Sequence, residues 1–124
     1  MKKDEIVKKI AKIEKEKGLP EALNAVFGEN VKVTLGFSKS SCNASIEELN
    51  LSVRSYNGLR RAEVAEVGDL IEMISEERLK KIRNLGNKSV SEIKTKLLVY
   101  GFEKLSEREK SEFFECLAEK NIVA

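Results

Sequence analysis

Apolar residues recur with helical spacing near the start of the chain. Ile6, Ile10 and Ile13 are three or four positions apart, and lysines fill most of the positions between them. A stripe of this period predicts an amphipathic helix over residues 4–17. Gly18 would end this helix, because glycine readily adopts the backbone conformation that follows a helix.

The stretch that follows, up to residue 45, predicts a helix, then a strand and then a linker. A second short helix is predicted from Pro20 to Gly28, because proline suits the first turn of a helix and glycine its end. The stretch VKVTL, residues 31–35, alternates apolar and polar positions and predicts a short strand. The stretch GFSKSSCNAS, residues 36–45, is small and polar and predicts a linker. We therefore expect a helical extension and linker over residues 1–44.

Four short helices are predicted in the middle of the chain, and each has a start signal. Ser52, Asp69 and Ser75 can each accept a hydrogen bond from a free backbone N–H at the start of the first three helices. Ser89 and Glu92 are spaced as a capping box for the fourth helix. The apolar positions of these helices would share one small core, made of Leu70, Ile71, Leu79, Ile82, Leu85, Val90, Ile93 and Leu97. The predicted ranges are, in order, roughly 52–61, 69–74, 76–83 and 89–99.

The end of the chain predicts one more helix. Gly101 and Phe102 would end the fourth helix, and Ser106 and Glu109 form a second capping box. The helix that follows carries Phe113, Phe114 and Leu117 on one side. The whole pattern predicts an all-α fold: a compact bundle of short helices containing a helix-hairpin-helix, with extra N- and C-terminal helices. The expected domains are 1–44, 45–103 and 104–124.

Composition narrows the functions to consider. The 124 residues include no histidine and only two cysteines, Cys42 and Cys116, which lie far apart. A zinc site usually needs four soft ligands at short spacings, and histidine is the commonest acid–base residue of enzymes. We therefore expect no metal, no cofactor and no catalytic activity. The net charge is only +2, so any contact with nucleic acid would depend on a local basic patch.

Hydropathy also bears on location. No apolar run approaches the ~18 residues of a membrane span. The N-terminal stretch MKKDEIVKKIAK has no continuous apolar core of the kind found in secretory signals. We therefore expect a reduced, cytoplasmic protein with no membrane association.

The stretch RNLGNKSVSEIK, residues 83–94, places a glycine between two predicted helices. The first N–H groups of the second helix have no partner within the helix, and the helix dipole puts partial positive charge there. Gly86 lets the backbone approach a ligand closely and can adopt a positive φ. Lys88 adds a charge, and Asn84 and Ser89 add hydrogen-bonding groups. This turn predicts a site for one phosphate or sugar edge of nucleic acid. The alternative is a glycine that only ends the preceding helix.

The predicted helix 52–61 has one apolar and one polar side. Its polar side carries two guanidiniums, an amide and a glycine, and arginine and asparagine side chains read base edges or line a narrow minor groove. Glycine lowers helix propensity by ~1 kcal/mol relative to alanine, so an exposed glycine suggests close approach to a surface. A solvated polar face is the alternative. At about 100° per residue, the polar side holds Arg54, Asn57, Gly58 and Arg61, and the apolar side holds Val53, Tyr56 and Leu59.

Taken together, these two stretches resemble the C-terminal domain of the bacterial RNA polymerase α subunit. The resemblance covers about residues 46–102 and rests on EELNLSVRSYNGLRRAEVAEVGDLIEM and LKKIRNLGNKSVSEIKTKLLVYGF. It implies a compact set of short helices that contains a helix-hairpin-helix. It also implies binding to the A/T-rich minor groove of double-stranded DNA in transcription or its regulation, with contacts to RNA polymerase, sigma factor or an activator. Because only about 45 residues precede the match, we expect a stand-alone module.

The resemblance also assigns roles to single residues. Arg54 matches the family's main minor-groove arginine, Asn57 matches its companion amide, and Arg60 matches a lysine near the helix end. The hairpin residues match the family's backbone-gripping turn. With Arg61, which the helical spacing places on the polar side, the expected DNA-binding residues are Arg54, Asn57, Arg60, Arg61, Asn84, Gly86, Lys88 and Ser89.

Two other functions compete with DNA binding. The first is a protein-interaction module that binds polymerase, sigma factor or an activator without DNA contact, through helix 52–61 and the helix bearing Phe113 and Phe114. The second is a nuclease fragment, since helix-hairpin-helix units accompany repair enzymes. The sequence offers no histidine and no tight acidic cluster for Mg²⁺, which disfavours the nuclease.

Overall fold

A computed structural model describes residues 2–28 and 36–121, and within these ranges the protein is all-α, as predicted. The helical turns of the 3-10 type are Ile46–Leu49 and Leu79–Lys81. The predicted strand at residues 31–35 lies outside the described residues. The α-helices are α1 Lys3–Lys17, α2 Leu19–Phe27, α3 Lys39–Cys42, α4 Val53–Arg61, α5 Val67–Ser75, α6 Asn87–Glu103 and α7 Glu107–Asn121.

The protein divides into two compact units. Gly36–Gly101 is one, here called the central unit, and the described residues before and after it form the other, here called the terminal unit. In the terminal unit α1 packs against both α2 and α7. The segments expected as separate N- and C-terminal extensions therefore share one unit.

The terminal unit is held by an apolar face of each of its helices. Ile6 and Ile10 of α1 are buried, as the helical stripe predicts, and Gly18 (φ 93°) separates α1 from α2. Ser106 and Glu109 form the predicted capping box, each side chain accepting a hydrogen bond from the other's backbone N–H (3.2 and 3.0 Å). Local sequence signals are thus sufficient for the ends of these helices.

An aromatic cluster corrects the predicted end of α6. The helix does not stop at Gly101 and Phe102 but continues to Glu103. The Phe102 side chain is only 2% exposed, and its ring centroid lies 5.6 Å from that of Phe113 and 5.5 Å from that of Phe114. Burial of this ring outweighs the tendency of glycine to end a helix. Since Phe113 and Phe114 are buried here too, they do not offer a free partner-binding face.

The central unit begins earlier than the sequence suggests. Residues 36–45 are packed rather than a free linker: they contain α3, and the Ala44 carbonyl accepts a hydrogen bond from the Val67 N–H (2.9 Å). A Cβ built on Gly68 would lie 3.1 Å from the Cys42 carbonyl oxygen, so this glycine permits close contact of α5 with α3. The part of this predicted linker from α3 to Ala44 is therefore packed against the start of α5.

The starts of the central helices differ in part from the predicted ones. Ser52 caps α4 as predicted, its Oγ accepting from the Ser55 N–H. Asp69 is not the cap of α5; it lies within the first turn and accepts a hydrogen bond from the Glu66 N–H (3.1 Å) in a capping box. Ser75 caps no helix, because the predicted helix 76–83 is reduced to the 3-10 turn Leu79–Lys81. Positive φ at Glu77 (56°) breaks the helical path there.

One core organises the central unit around α4, α5 and α6. Six of the eight predicted core residues are buried, and Ile71 and Ile82 pack against the core while partly exposed. Leu59 of α4 and Ile93 of α6 are both fully buried members of this core. The buried members of the predicted set are Leu70, Leu79, Leu85, Val90, Ile93 and Leu97.

Candidate nucleic-acid interface

Helix α4 presents its polar side to solvent. Arg54, Asn57, Arg60 and Arg61 are all exposed, whereas Leu59 is fully buried. The apolar side is less regular than the helical spacing suggests. Val53, the first residue of α4, is 76% exposed.

Gly58 does not belong to the exposed side of α4, as its helical position suggested. It is buried, and a Cβ built on it would lie 2.8 Å from Cδ1 of Leu85. Leu85 directly precedes Gly86, so α4 packs against the hairpin turn at this point. The lack of a side chain at Gly58 therefore serves contact between α4 and the turn, not contact with an outside surface.

The turn before α6 differs from the predicted one in the residue that carries positive φ. It is Asn84, not Gly86, that adopts the left-handed conformation (φ 64°). The Leu85 N–H donates to the Ile82 carbonyl (3.3 Å), which closes the turn. The Val90 N–H donates to the Gly86 carbonyl (3.0 Å), so Gly86 is the residue from which α6 starts.

The space around the hairpin is open. A Cβ on Gly86 would meet no atom within 4 Å, and Asn84, Gly86 and Lys88 are exposed. Ser89 is different, because it is only 7% exposed and little of it reaches the surface. The exposed backbone at the start of α6 can therefore be approached closely by a ligand at Gly86.

Glu92 joins α4 to α6. Its carboxylate accepts hydrogen bonds from the Ser52 N–H (2.9 Å), the Ser52 hydroxyl (2.8 Å) and the Ser55 hydroxyl. The predicted capping box of Ser89 and Glu92 is thus wrong: Glu92 binds the start of another helix. Ser55 is fully buried, whereas its neighbours Arg54 and Asn57 on α4 are exposed.

A small cavity connects the two predicted parts of the site. It has a volume of about 290 Å³ and lies between the end of α4 and the turn before α6. Arg61 and Asn84, which were predicted from separate stretches, both line it. The central unit therefore brings both stretches together. Seven of the eight predicted residues are exposed there, namely Arg54, Asn57, Arg60, Arg61, Asn84, Gly86 and Lys88.

The arginines of the protein fall into two groups. Arg78 forms an ion pair with Glu76 (2.9 Å) and Arg108 with Glu112 (3.2 Å). Within the described parts of the sequence, the other four arginines have no carboxylate partner. These four are Arg54, Arg60, Arg61 and Arg83, all on α4 or in the turn before α6. The unpaired guanidiniums thus concentrate beside the hairpin.

Features of a metal site or a membrane span are absent from residues 2–28 and 36–121. No three histidine, cysteine, aspartate or glutamate side chains of these residues are grouped so that they could hold a metal ion. Of the described helices, none combines the length and apolar character needed to cross a membrane.

The hydrogen bonds of Glu92 predict a pH dependence of stability. The Ser55 hydroxyl, followed by the Ser52 hydroxyl and N–H, holds the pKa of this carboxyl below its ordinary 4.5. A carboxyl with a lowered pKa in the folded state adds stability above its unfolded pKa, and this stability is lost as the pH falls through the folded value. We expect the unfolding free energy, measured with urea, to fall between about pH 6 and about pH 3–4. This fall should be larger for the wild type than for Glu92→Gln. Tyrosine fluorescence would measure it, since Tyr56 and Tyr100 are the only tyrosines and both lie in the central unit. Equal pH dependence of the two proteins would contradict the assignment.

These features define the class of the central unit: a small all-α module with unpaired basic side chains around a hairpin turn. Residues 37–98, half of the sequence, match the family model that describes the C-terminal domain of the bacterial RNA polymerase alpha subunit. The protein belongs to this family. Membership of this family makes the central unit a transcription-related module of the DNA-binding type. In the polymerase alpha subunits, the domain that it matches is non-catalytic.

Relatives among the curated proteins agree with this family. The protein is 53% identical over 57 residues to the DNA-directed RNA polymerase subunit alpha of Symbiobacterium thermophilum, an alignment that covers 46% of its sequence and 18% of that relative. It is 62% identical over 53 residues to the same subunit of Syntrophomonas wolfei (43% and 16%) and 55% identical over 64 residues to that of Rubrobacter xylanophilus (52% and 20%). The match thus spans a fifth or less of the length of these relatives. No solved structure matches the protein significantly.

Proposed function

We propose that the protein binds double-stranded DNA through residues 45–103 and acts in transcription or its regulation in the bacterial cytoplasm. In this proposal the hairpin holds the DNA backbone while Arg54 enters an A/T-rich minor groove. The observation that supports it is the packing of α4 against the turn before α6, seen in the Gly58–Leu85 contact and in the cavity shared by Arg61 and Asn84. Because of this packing, a single duplex can meet both parts at once.

The hairpin supplies the chemistry of a phosphate site. The first N–H groups of a helix have no partner within it, and the dipole of the 17-residue α6 favours an anion at its start. Gly86 leaves room for that anion to reach the backbone. Lys88 adds an exposed positive charge in the first turn. Contacts of this kind fix the position of a protein on DNA without reading its sequence.

Helix α4 supplies the groups for the minor groove. The narrow minor groove of A/T-rich DNA has an enhanced negative potential that attracts arginine. Arg54 has no carboxylate partner among the described residues, so its guanidinium is available to bind there. Asn57 lies one turn further along α4 and can donate to base or sugar oxygens. Arg60 and Arg61, at the end of α4, reach the backbone beside the groove.

The proposal is tested by fluorescence anisotropy with labelled A/T-rich and G/C-rich duplexes of equal length at several salt concentrations. We expect tighter binding to the A/T-rich duplex and an affinity that falls steeply with salt, because phosphate contacts release counterions. Absence of binding to either duplex at low salt would refute the proposal.

The variant Gly86→Ala tests DNA binding at the hairpin with little expected effect on folding. A Cβ there meets no atom within 4 Å, so we expect the unfolding free energy to change by less than about 1 kcal/mol. If the DNA backbone lies against Gly86, the added methyl group should weaken duplex binding by at least about fivefold, which is ~1 kcal/mol. Gly36→Ala is the matched control, because Gly36 is also exposed with no atom within 4 Å of its Cβ position. Equal affinities of the two variants would show that the backbone is not approached at Gly86.

A second candidate function is binding to an acidic segment of polymerase, sigma factor or an activator. A separate cavity of about 430 Å³ in the central unit is lined by the apolar Ile74 and Leu79 and by one acidic and three basic residues, namely Glu77, Lys80, Lys81 and Lys94. Such a surface would suit an apolar side chain flanked by carboxylates. Pull-down from bacterial extract with and without nuclease distinguishes the two functions, since a direct protein contact survives loss of DNA.

A further inference from the structure

We propose that Arg61 and Arg83 together bind a second phosphate of the DNA backbone, beside the one held at the start of α6. This inference rests on the proposed DNA binding and deepens it. Arg83 is not among the residues that the sequence assigned to the site. The structure places it there, because Arg61 and Arg83 line the same 290 Å³ cavity.

The lining of this cavity favours an anion. Its other lining residues are Ala62, Ile82 and Asn84, so no acidic residue lines it. Neither arginine side chain makes an ion pair or hydrogen bond with any described residue. Arg61 and Arg83 are both exposed and carry like charges, so an anion bound by both would be attracted to each of them.

The chemistry of the donors matches phosphate. A guanidinium offers a planar pair of N–H groups that binds two oxygens of a phosphate at once, and two of them can hold a tetrahedral group from two sides. Asn84 adds an exposed amide at the same cavity. Its backbone has positive φ (64°), which turns the backbone between Ile82 and Leu85 at the cavity wall.

The position of the cavity beside the hairpin favours the DNA backbone, rather than a separate anion, as the source of this phosphate. Asn84 is two residues from Gly86, and two residues span at most about 7 Å of backbone. The cavity therefore opens close to the hairpin that would hold the first phosphate. Each strand of a duplex carries a phosphate about every 3.4 Å along the helix axis, so two adjoining sites on the protein would meet phosphates of the same strand.

The test compares Arg83→Gln with Arg78→Gln. Both changes replace an arginine by a shorter, neutral polar side chain, but Arg78 is paired with Glu76 and does not line the cavity. We expect Arg83→Gln to weaken binding by about three- to tenfold at moderate salt, equally for A/T-rich and G/C-rich duplexes. The slope of log affinity against log salt should fall by about 1, as for one lost phosphate contact. Arg61→Gln should behave in the same way, and Arg78→Gln should keep the wild-type slope.

The outcomes separate this inference from the proposed function. If the wild type binds duplex DNA but Arg83→Gln and Arg61→Gln keep the affinity and slope of Arg78→Gln, the paired-arginine site is refuted while DNA binding stands. A loss confined to the A/T-rich duplex also refutes it, because a phosphate contact carries no sequence preference. If the wild type binds no duplex at all, DNA binding and this inference both fail.

Discussion

Replacing Arg54 by alanine is expected to weaken binding to an A/T-rich duplex by about 1–3 kcal/mol, or roughly five- to 150-fold. Arg54 is exposed on α4 and has no carboxylate partner among the described residues. Its loss removes the group that the narrow, negative minor groove would attract most strongly. Anisotropy titration at fixed salt measures the effect directly.

Arg108→Ala is the matched control for this change. Arg108 is an exposed arginine in α7 of the terminal unit, where it pairs with Glu112 (3.2 Å). Removing it lowers the net charge equally, so any general electrostatic loss appears in both variants. We expect the Arg54→Ala loss to be larger on A/T-rich than on G/C-rich duplex, because only the minor-groove contact depends on groove width. Equal binding by wild type and Arg54→Ala would remove Arg54 from the site.

Features set by neighbouring residues could be predicted from the sequence. The helical stripe of Ile6 and Ile10, the glycine after α1 and the Ser52 cap of α4 depend on spacings of a few positions. The Ser106 capping box does too. Helix caps and apolar stripes depend on residues a few positions apart and not on tertiary contacts, so the sequence pattern alone predicts them.

Features set by distant contacts could not be predicted in this way. Glu92 follows Ser89 at the spacing of a capping box, yet its carboxylate binds Ser52 and Ser55, 40 and 37 positions earlier. Helical spacing placed Gly58 on the exposed side, yet the approach of Leu85 buries it. In both cases a tertiary partner decided the outcome, and nothing in the spacing of one stretch identifies a partner in another.

The predicted DNA-binding residues illustrate both situations. Their exposure on α4 follows from helical periodicity, and Arg54 and Asn57 are indeed on the open side. Arg61 and Asn84 share a cavity because α4 packs against the turn before α6, which is a tertiary contact. The sequence did not assign Arg83 to the site for the same reason, because its position along the sequence gives no sign that it shares a cavity with Arg61.

Glu92→Ala is expected to lower the unfolding free energy of the central unit by about 2–3 kcal/mol. The carboxylate accepts three hydrogen bonds at the start of α4, but only the one from Ser55 comes from a buried residue. A hydrogen bond to a charged group contributes about 1.5–3 kcal/mol, so the expected loss is that of about one such bond. Ser55 is fully buried, so its O–H would lose the carboxylate that accepts its hydrogen bond, and only the Ser52 hydroxyl (3.2 Å) would remain beside it. Urea unfolding followed by tyrosine fluorescence measures the loss in the central unit. Glu72→Ala, at an exposed position of α5, is the control and should change stability by less than about 0.5 kcal/mol.

The same variant discriminates between a charge effect and a positioning effect on DNA binding. Removing a negative charge near a phosphate site would, by charge alone, strengthen binding. If Glu92 instead holds the start of α4 so that Arg54 and Asn57 face the groove, Glu92→Ala should weaken binding even at temperatures where the protein remains folded. The sign of the change decides between the two, and Glu72→Ala provides the charge effect by itself. Tighter binding by Glu92→Ala would show that the Ser52–Ser55–Glu92 contact stabilises the fold without orienting the DNA-binding side of α4.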